Sequence, residues 1–392
     1  MRIFFLLLFS FLTVYSSFSQ SNLENGIGQN ELNTITTAVP FLLIAPDSRS
    51  GAMGDVGVAT SPDSYSLHWN PAKLAFSDSE IGASVSYVPW LRALVPDINL
   101  SYLAGFKKIN QNEAIGLELR YFSLGDITFT NEGGDVLGQY KPHEFAVGSS
   151  YSRKLSDLFS LAISGRYIYS NLTGGQYAGA IATKPGQSIS ADVAAFYSKP
   201  IFIADQSSNL AIGANISNIG SKISYSETTT RDFIPINLRL GTAVSTDFDD
   251  YNKMSLALDI NKLLVPTPPR YNDEGQITQG EDPDVSVVSG MFQSFSDAPG
   301  GFKEEMREIN YSLGTEYWYN NQFAVRMGYF FEHNTKGGRK FFTFGSGLKY
   351  NVFILDFSYL VNASRAINGN NPLANTMRFS MTWNFGNNIS NN

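Results

Sequence analysis

Glu80–Tyr87, EIGASVSY, decides how the rest of the chain is read. Ile81, Ala83, Val85 and Tyr87 alternate with Gly82, Ser84 and Ser86. A period of two places one set of side chains on each face of a strand. An apolar or aromatic face opposite a small polar one fits a wall between lipid and a filled lumen. Downstream the pattern returns in Ile98–Phe106, Ile115–Tyr121, Glu144–Arg153, Phe159–Tyr169, Ile189–Tyr197, Leu210–Ile216 and Ile236–Val244. It continues in Met254–Ile260, Ile309–Tyr317, Phe323–Phe331, Phe341–Tyr350 and Phe353–Val361, and ends with Met377, Phe379, Met381, Trp383 and Phe385. These are fourteen strands, an even number, as single-chain bacterial barrels require. The expected fold is all-β: a 14-stranded antiparallel transmembrane outer-membrane β-barrel with an N-terminal plug.

Connection lengths point the same way. Short links at Lys108–Asn112, Lys154–Asp157, Asp247–Tyr251, Tyr319–Asn321 and near Asn351 alternate with longer ones. The longer ones are Leu124–His143, Leu172–Gln187, Gly220–Phe233, Leu264–Glu308 and Asn362–Asn375. Such sorting puts turns on the periplasmic side and loops outside. Ser198–Ser208 reads as a turn longer than its class. The aromatic ending at Phe385 fits the closing strand of a barrel that cannot leave an edge exposed to lipid.

Composition agrees. The 392 residues include 20 Tyr, 29 Phe and 34 Gly, and only 16% are charged. A formal net charge of −7 leaves no basic face for nucleic acid. There is no Cys, hence no disulfide, thiolate metal site or lipid anchor on Cys. Arg2, the apolar run Ile3–Val14 and Ser17-Phe18-Ser19 form a secretory leader, cleaved before Gln20. The expected organisation is a leader over 1–19, an extension and lumen plug over 20–79, the barrel over 80–385 and a tail over 386–392.

The plug is read from Ala45–Phe76, APDSRSGAMGDVGVATSPDSYSLHWNPAKLAF, which has neither strand alternation nor a helical stripe. Gly51, Gly54 and Gly57 have no strand–loop–helix unit around them, so they suit close packing in a crowded lumen rather than a phosphate cradle. In the loop from Leu264, three prolines and an acidic run precede Val288, Met291, Phe292 and Phe295 at i, i+3, i+4, i+7. A short amphipathic helix is expected there, either a lid over the rim or a face for a partner protein. The three histidines, His68, His143 and His333, lie far apart without a second ligand at metal spacing. Gly345-Ser346-Gly347 lies in a strand pattern and lacks the turn that exposes a nucleophilic serine. Carboxylates read as scattered in loops, with no pair on opposing strands. No catalytic residue, metal or cofactor is expected.

The stretch Pro40–Gly57 (PFLLIAPDSRSGAMGDVG), followed by His68-Trp69-Asn70-Pro71-Ala72-Lys73-Leu74-Ala75, resembles the N-terminal signature of the PorV (LptO) family. Those proteins are outer-membrane components of the type IX protein secretion system, within the fatty-acid-transporter-like barrel superfamily. The resemblance implies fourteen strands with an N-terminal hatch, and Asp55, His68, Trp69, Asn70 and Pro71 as structural residues of it. It further implies partners: a translocon barrel, the C-terminal signal domains of secreted cargo, a sortase-like surface peptidase, and outer-membrane lipid and lipopolysaccharide. On this reading the protein binds cargo and shuttles it and is not an enzyme. Transport of hydrophobic compounds and a lipopolysaccharide-modifying role stay open as alternatives.

Overall fold

The computed structural model describes residues 32–387, apart from 93–94, 96, 131–132, 134–135, 176, 179–180, 228–230 and 364–374. The expected leader and the extension as far as residue 31 lie outside the described residues. The chain divides into two units, Met1–Leu32 and Asn33–Asn392, and every element below belongs to the second.

Fourteen strands close into one antiparallel barrel in simple sequence order. They are β1 (Ser79–Pro89), β2 (Asn99–Lys108), β3 (Glu113–Ser123), β4 (His143–Lys154), β5 (Phe159–Asn171), β6 (Gly186–Ile203) and β7 (Gln206–Gly220). The second half comprises β8 (Asn237–Asp247), β9 (Asn252–Leu263), β10 (Asn310–Tyr319), β11 (Phe323–Phe331), β12 (Lys340–Tyr350), β13 (Phe353–Asn362) and β14 (Met377–Asn387). Ser79–Tyr87 of β1 pairs with Asn387–Phe379 of β14, so no edge is left in the wall. The alternation read from sequence sorts as expected. Ile81, Val85, Tyr87, Leu117, Ile163, Val325 and Phe379 face outward and exposed, while Ser84, Ser86, Ser164 and Ser380 between them are buried.

One connection differs from its sequence reading. Ser198–Ser208 is mostly strand, because β6 and β7 run on to a two-residue turn at Ala204-Asp205. Both turn residues have positive φ, 49° and 66°, the left-handed pair that matches strand twist in a tight hairpin. Neither is Gly or Asn, so the usual signal for such a turn is missing. Pro200 lies near the free end of β6, where a missing N–H costs no ladder bond to β5, whose pairing with β6 stops at Tyr197.

The lumen is ionic where the sequence led us to expect small polar residues alone. Arg166 binds Glu118 (2.6 Å) and Asp192 (3.0 Å), and Arg326 binds Glu316 (2.6 Å) and Asp356 (2.7 Å). This corrects the view that the carboxylates are scattered through loops without opposing pairs. Each pair comes from separate strands and is set by their register: Glu316 and Arg326 are direct cross-strand partners, and Arg166 and Asp192 lie on neighbouring strands.

Candidate functional site

Residues 38–76 pack against the inward faces of the strands. The stretch is built from single turns: Pro40–Leu43, Ser48–Gly51, Ser66–Trp69 and Pro71–Phe76. Asp47 starts the second of these by accepting a hydrogen bond from Ser50 N–H (2.7 Å), and Asn70 starts the last by accepting from Ala72 N–H (3.1 Å). Wall side chains satisfy several of the backbone groups that such short turns leave free. The Asp259 carboxylate accepts from Gly57 N–H (2.8 Å) and Val58 N–H (2.9 Å), Thr343 Oγ1 accepts from Gly54 N–H (2.8 Å), and Arg120 donates to the Leu42 carbonyl (2.6 Å).

The glycine spacing is explained by close approach. A Cβ on Gly57 would lie 2.3 Å from the Trp69 ring, and one on Gly54 would lie 2.7 Å from the Tyr329 backbone. The wall answers with its own glycines. A Cβ on Gly213 would meet the Val58 carbonyl (2.4 Å), one on Gly314 the Met53 carbonyl (2.5 Å), and one on Gly328 the Met53 backbone (2.0 Å). Gly213 is in register with Gly241, and Gly314 with Gly328.

The five motif residues meet in this region. Trp69 Nε1 donates to Asp47 (2.7 Å), and Asn70 Nδ2 donates to the carbonyls of Val58 (3.0 Å) and Ala195 (3.0 Å). Asp55, with φ 63°, lies 3.4 Å from Arg378, and Pro71 opens the final turn. His68 is buried edge-on against Trp69, with Nδ1 2.7 Å from an Arg120 amine. Burial, and then the charges of Arg120, Arg239 and Arg166, hold its pKa well below the ordinary value of 6.5. Burial likewise pushes Asp47 up to about 6 and Lys73 down to about 8, the Lys73 ammonium donating to the Gly57 carbonyl at 2.6 Å. Sequence reading missed Arg49, which donates to Asp63 and Glu316, each at 2.8 Å, and so ties the stretch to the Arg326 cluster. No sequence signal marks it, because its partner Glu316 lies 267 positions away.

His68 gives a pH prediction. A histidine neutral in the fold and protonated when unfolded contributes stability above pH 6.5, and that stability is lost as pH falls. The wild-type stability should therefore drop, relative to a His68→Asn variant, by up to about 1.4 kcal/mol per pH unit below 6.5. Guanidinium midpoints of both proteins between pH 7 and 4.5 measure this; parallel curves would refute it. Comparison with the variant is needed because Asp47, raised to about 6, has the opposite sign: it costs stability as pH rises from 3.8 to 6.

The expected helix in the long loop forms over Val287–Gln293, capped by Ser286, whose Oγ accepts from Ser289 N–H (3.2 Å). Its apolar residues divide between two directions. Val287 and Met291 pack on the apolar cluster around Phe233, Leu264 and Val265, whereas Val288, Phe292 and Phe295 are 62%, 75% and 51% exposed. The helix thus packs Val287 and Met291 on that cluster and leaves Val288 and Phe292 exposed, while Phe295 lies past its end, over Lys262 (5.9 Å). Buried charges anchor the loop to the rim: Lys262 to Glu305 (3.0 Å) and Glu308 (2.7 Å), and Lys336 to Glu304 (2.6 Å) and Glu308 (2.9 Å). His143 stacks between Tyr121 and Tyr169, and His333 caps the turn Asn334–Lys336. In the two lumen clusters each carboxylate is already held by a guanidinium, an arrangement that fixes charge rather than transferring protons.

A closed antiparallel barrel with an apolar, aromatic outer surface is an outer-membrane β-barrel protein, crossing the membrane with strands and placing its short turns in the periplasm. The family model of the type IX secretion system protein PorV matches residues 27–270, and the chain belongs to that family. No curated protein matches the chain. Among solved structures it is similar to the Ralstonia pickettii toluene transporter TbuX, with 14% identity, TM-score 0.48, and coverage of 88% of this chain and 98% of that one. Similarity to the Pseudomonas putida toluene transporter TodX is 12% in identity with TM-score 0.46, over 90% and 98% of the two chains. A Pseudomonas aeruginosa FadL homologue gives 13% and 0.45, over 91% and 100%.

Proposed function

We propose that this outer-membrane component of the type IX secretion system binds secreted proteins carrying a C-terminal signal domain as they leave the translocon barrel. It then passes them to the sortase-like surface peptidase for attachment to lipopolysaccharide. Residues 38–76 serve as a plug that keeps the barrel closed while it does so. The observation that carries this reading is the 264–309 loop, charge-anchored at its base and leaving Val288 and Phe292 exposed to solvent. Apolar side chains held out in water by a rigid support are what a protein partner covers. Membership of the secretion family supports the choice of partner.

Deleting the gene should trap proteins with C-terminal signal domains in the periplasm; a normal secretome in the deletion strain would overturn the proposal. A finer test addresses the loop. Leu264–Glu308 should resist protease, or cross-link through a photoreactive residue at Phe292, only when the translocon is present. Equal accessibility without the translocon removes this loop from the interface.

A further inference from the structure

Several cations at the long-loop end are matched by acids. Lys141 pairs with Asp126, Lys184 with Glu227 and Lys222 with Asp284. Lys262 and Lys336 are held by glutamates of the long loop, and Arg339 by Glu332. One sector of the rim gathers three that are not. Lys303, Arg307 and Lys340 have no carboxylate within ion-pair distance among the described residues.

The segment Phe302–Glu308 separates its charges. Glu304, Glu305 and Glu308 are buried and turn to Lys336 and Lys262. Lys303 and Arg307 stay accessible, as do Phe302 and Met306, which are 80% and 44% exposed. Each of these pairs is spaced i, i+4 along two short helical turns. Apolar and basic side chains on one surface are what a segment lying in a membrane interface presents.

The wall continues that surface. The chain enters β10 at Asn310, directly after the segment and Ile309. On the outward face at this end, Tyr311 of β10, Phe331 of β11 and Lys340 of β12 are direct cross-strand neighbours. The Tyr311 and Phe331 rings are 6.4 Å apart, and the Lys340 ammonium lies 5.0 Å from the Phe331 ring. Aromatic rings at the membrane boundary, with a lysine reaching past them, mark the depth of lipid head groups. Arg307 acts at the same place: burial and then the charges of Arg307, Lys340 and Lys336 lower the His333 pKa.

We infer that this sector of the rim, Phe302–Glu308 together with Lys340, binds the phosphorylated head group of a lipid in the outer leaflet. Lys303, Arg307 and Lys340 contact its phosphates, while Phe302 and Met306 enter the acyl boundary. Phosphate supplies the anion that no protein carboxylate provides here. The contact is independent of the shuttle role, which places its partner on Val288 and Phe292.

The test titrates the purified full chain, in a non-ionic detergent, with bisphosphorylated lipid A and with the same lipid stripped of its phosphates. Bound lipid is counted by native mass spectrometry. Each cation near an anionic lipid surface strengthens binding about fivefold. Even with salt screening, the phosphorylated lipid should therefore be preferred by at least about tenfold. Lys303→Gln/Arg307→Gln/Lys340→Gln should lose the preference, and Lys303→Arg/Arg307→Lys/Lys340→Arg should keep it. Lys141→Gln/Lys184→Gln, at matched cations, should leave it unchanged. Phe302→Ser/Met306→Ser should weaken binding of both lipids alike. Binding that ignores the phosphates, or a preference that survives the triple glutamine variant, would overturn the inference. So would equal loss in the Lys141/Lys184 variant, unchanged binding in the serine variant, or displacement of the lipid by equimolar inorganic phosphate.

Discussion

Gly328→Leu will expel the turn at residues 52–58 from the barrel wall while leaving the barrel closed. A Cβ at this position would lie 2.0 Å from the Met53 carbonyl carbon and 2.1 Å from Gly54 N. Both contacts are backbone, so no side chain can swing aside. Overpacking where neighbours can adjust costs about 1–3 kcal/mol, and here the cost falls at or beyond the upper end. The ladder is spared, because Gly328 keeps its pairing with Gly314 on one side and Thr343 on the other. The chain has no cysteine, so Met53→Cys gives a single thiol for a water-soluble maleimide. That thiol should be protected in the parent and labelled at least tenfold faster in the Gly328→Leu background. Gly165→Leu is the control, since a Cβ there meets nothing within 4 Å. Equal labelling in the parent and Gly328→Leu proteins would show that the wall glycines do not seat this turn.

Glu316→Ala should be the most damaging single change in the lumen. Its carboxylate receives the Arg326 guanidinium (2.6 Å) and the Arg49 guanidinium (2.8 Å), joining wall to inner segment. Its loss leaves two arginines to share Asp63 and Asp356. Removing one partner of a buried ion cluster costs about 3–5 kcal/mol, because the surviving charge stays desolvated. The guanidinium midpoint should fall accordingly. Arg326→Met added to Glu316→Ala should recover part of the loss, as it removes one of the stranded charges. An unchanged midpoint for Glu316→Ala would mean that the cluster is open to water and holds nothing in place.

Much of the candidate site was legible in outline and little of it in detail. Gly51, Gly54 and Gly57 signalled tight packing, but the glycines they press against, Gly213, Gly314 and Gly328, look like ordinary strand glycines in sequence. His68 and Trp69 stood out as a motif; that His68 would face Arg120 and Arg239 did not. The apolar spacing of Val288, Met291, Phe292 and Phe295 gave the helix. It could not show that Met291 turns to the core while Val288 and Phe292 turn to water and Phe295 falls past the helix end, over Lys262.

What the sequence determined by itself is the wall. A side-chain period of two and the alternation of short and long links are local properties, so all fourteen strands could be read one at a time. The contents of the barrel were decided only by tertiary structure. Register carries Arg166 to Glu118 and Asp192, and the path of the inner segment carries Arg49 to Glu316 and brings the His68 carbonyl and Trp69 ring to Arg239. Partners chosen across the lumen, often hundreds of positions apart, leave no periodic trace along the chain.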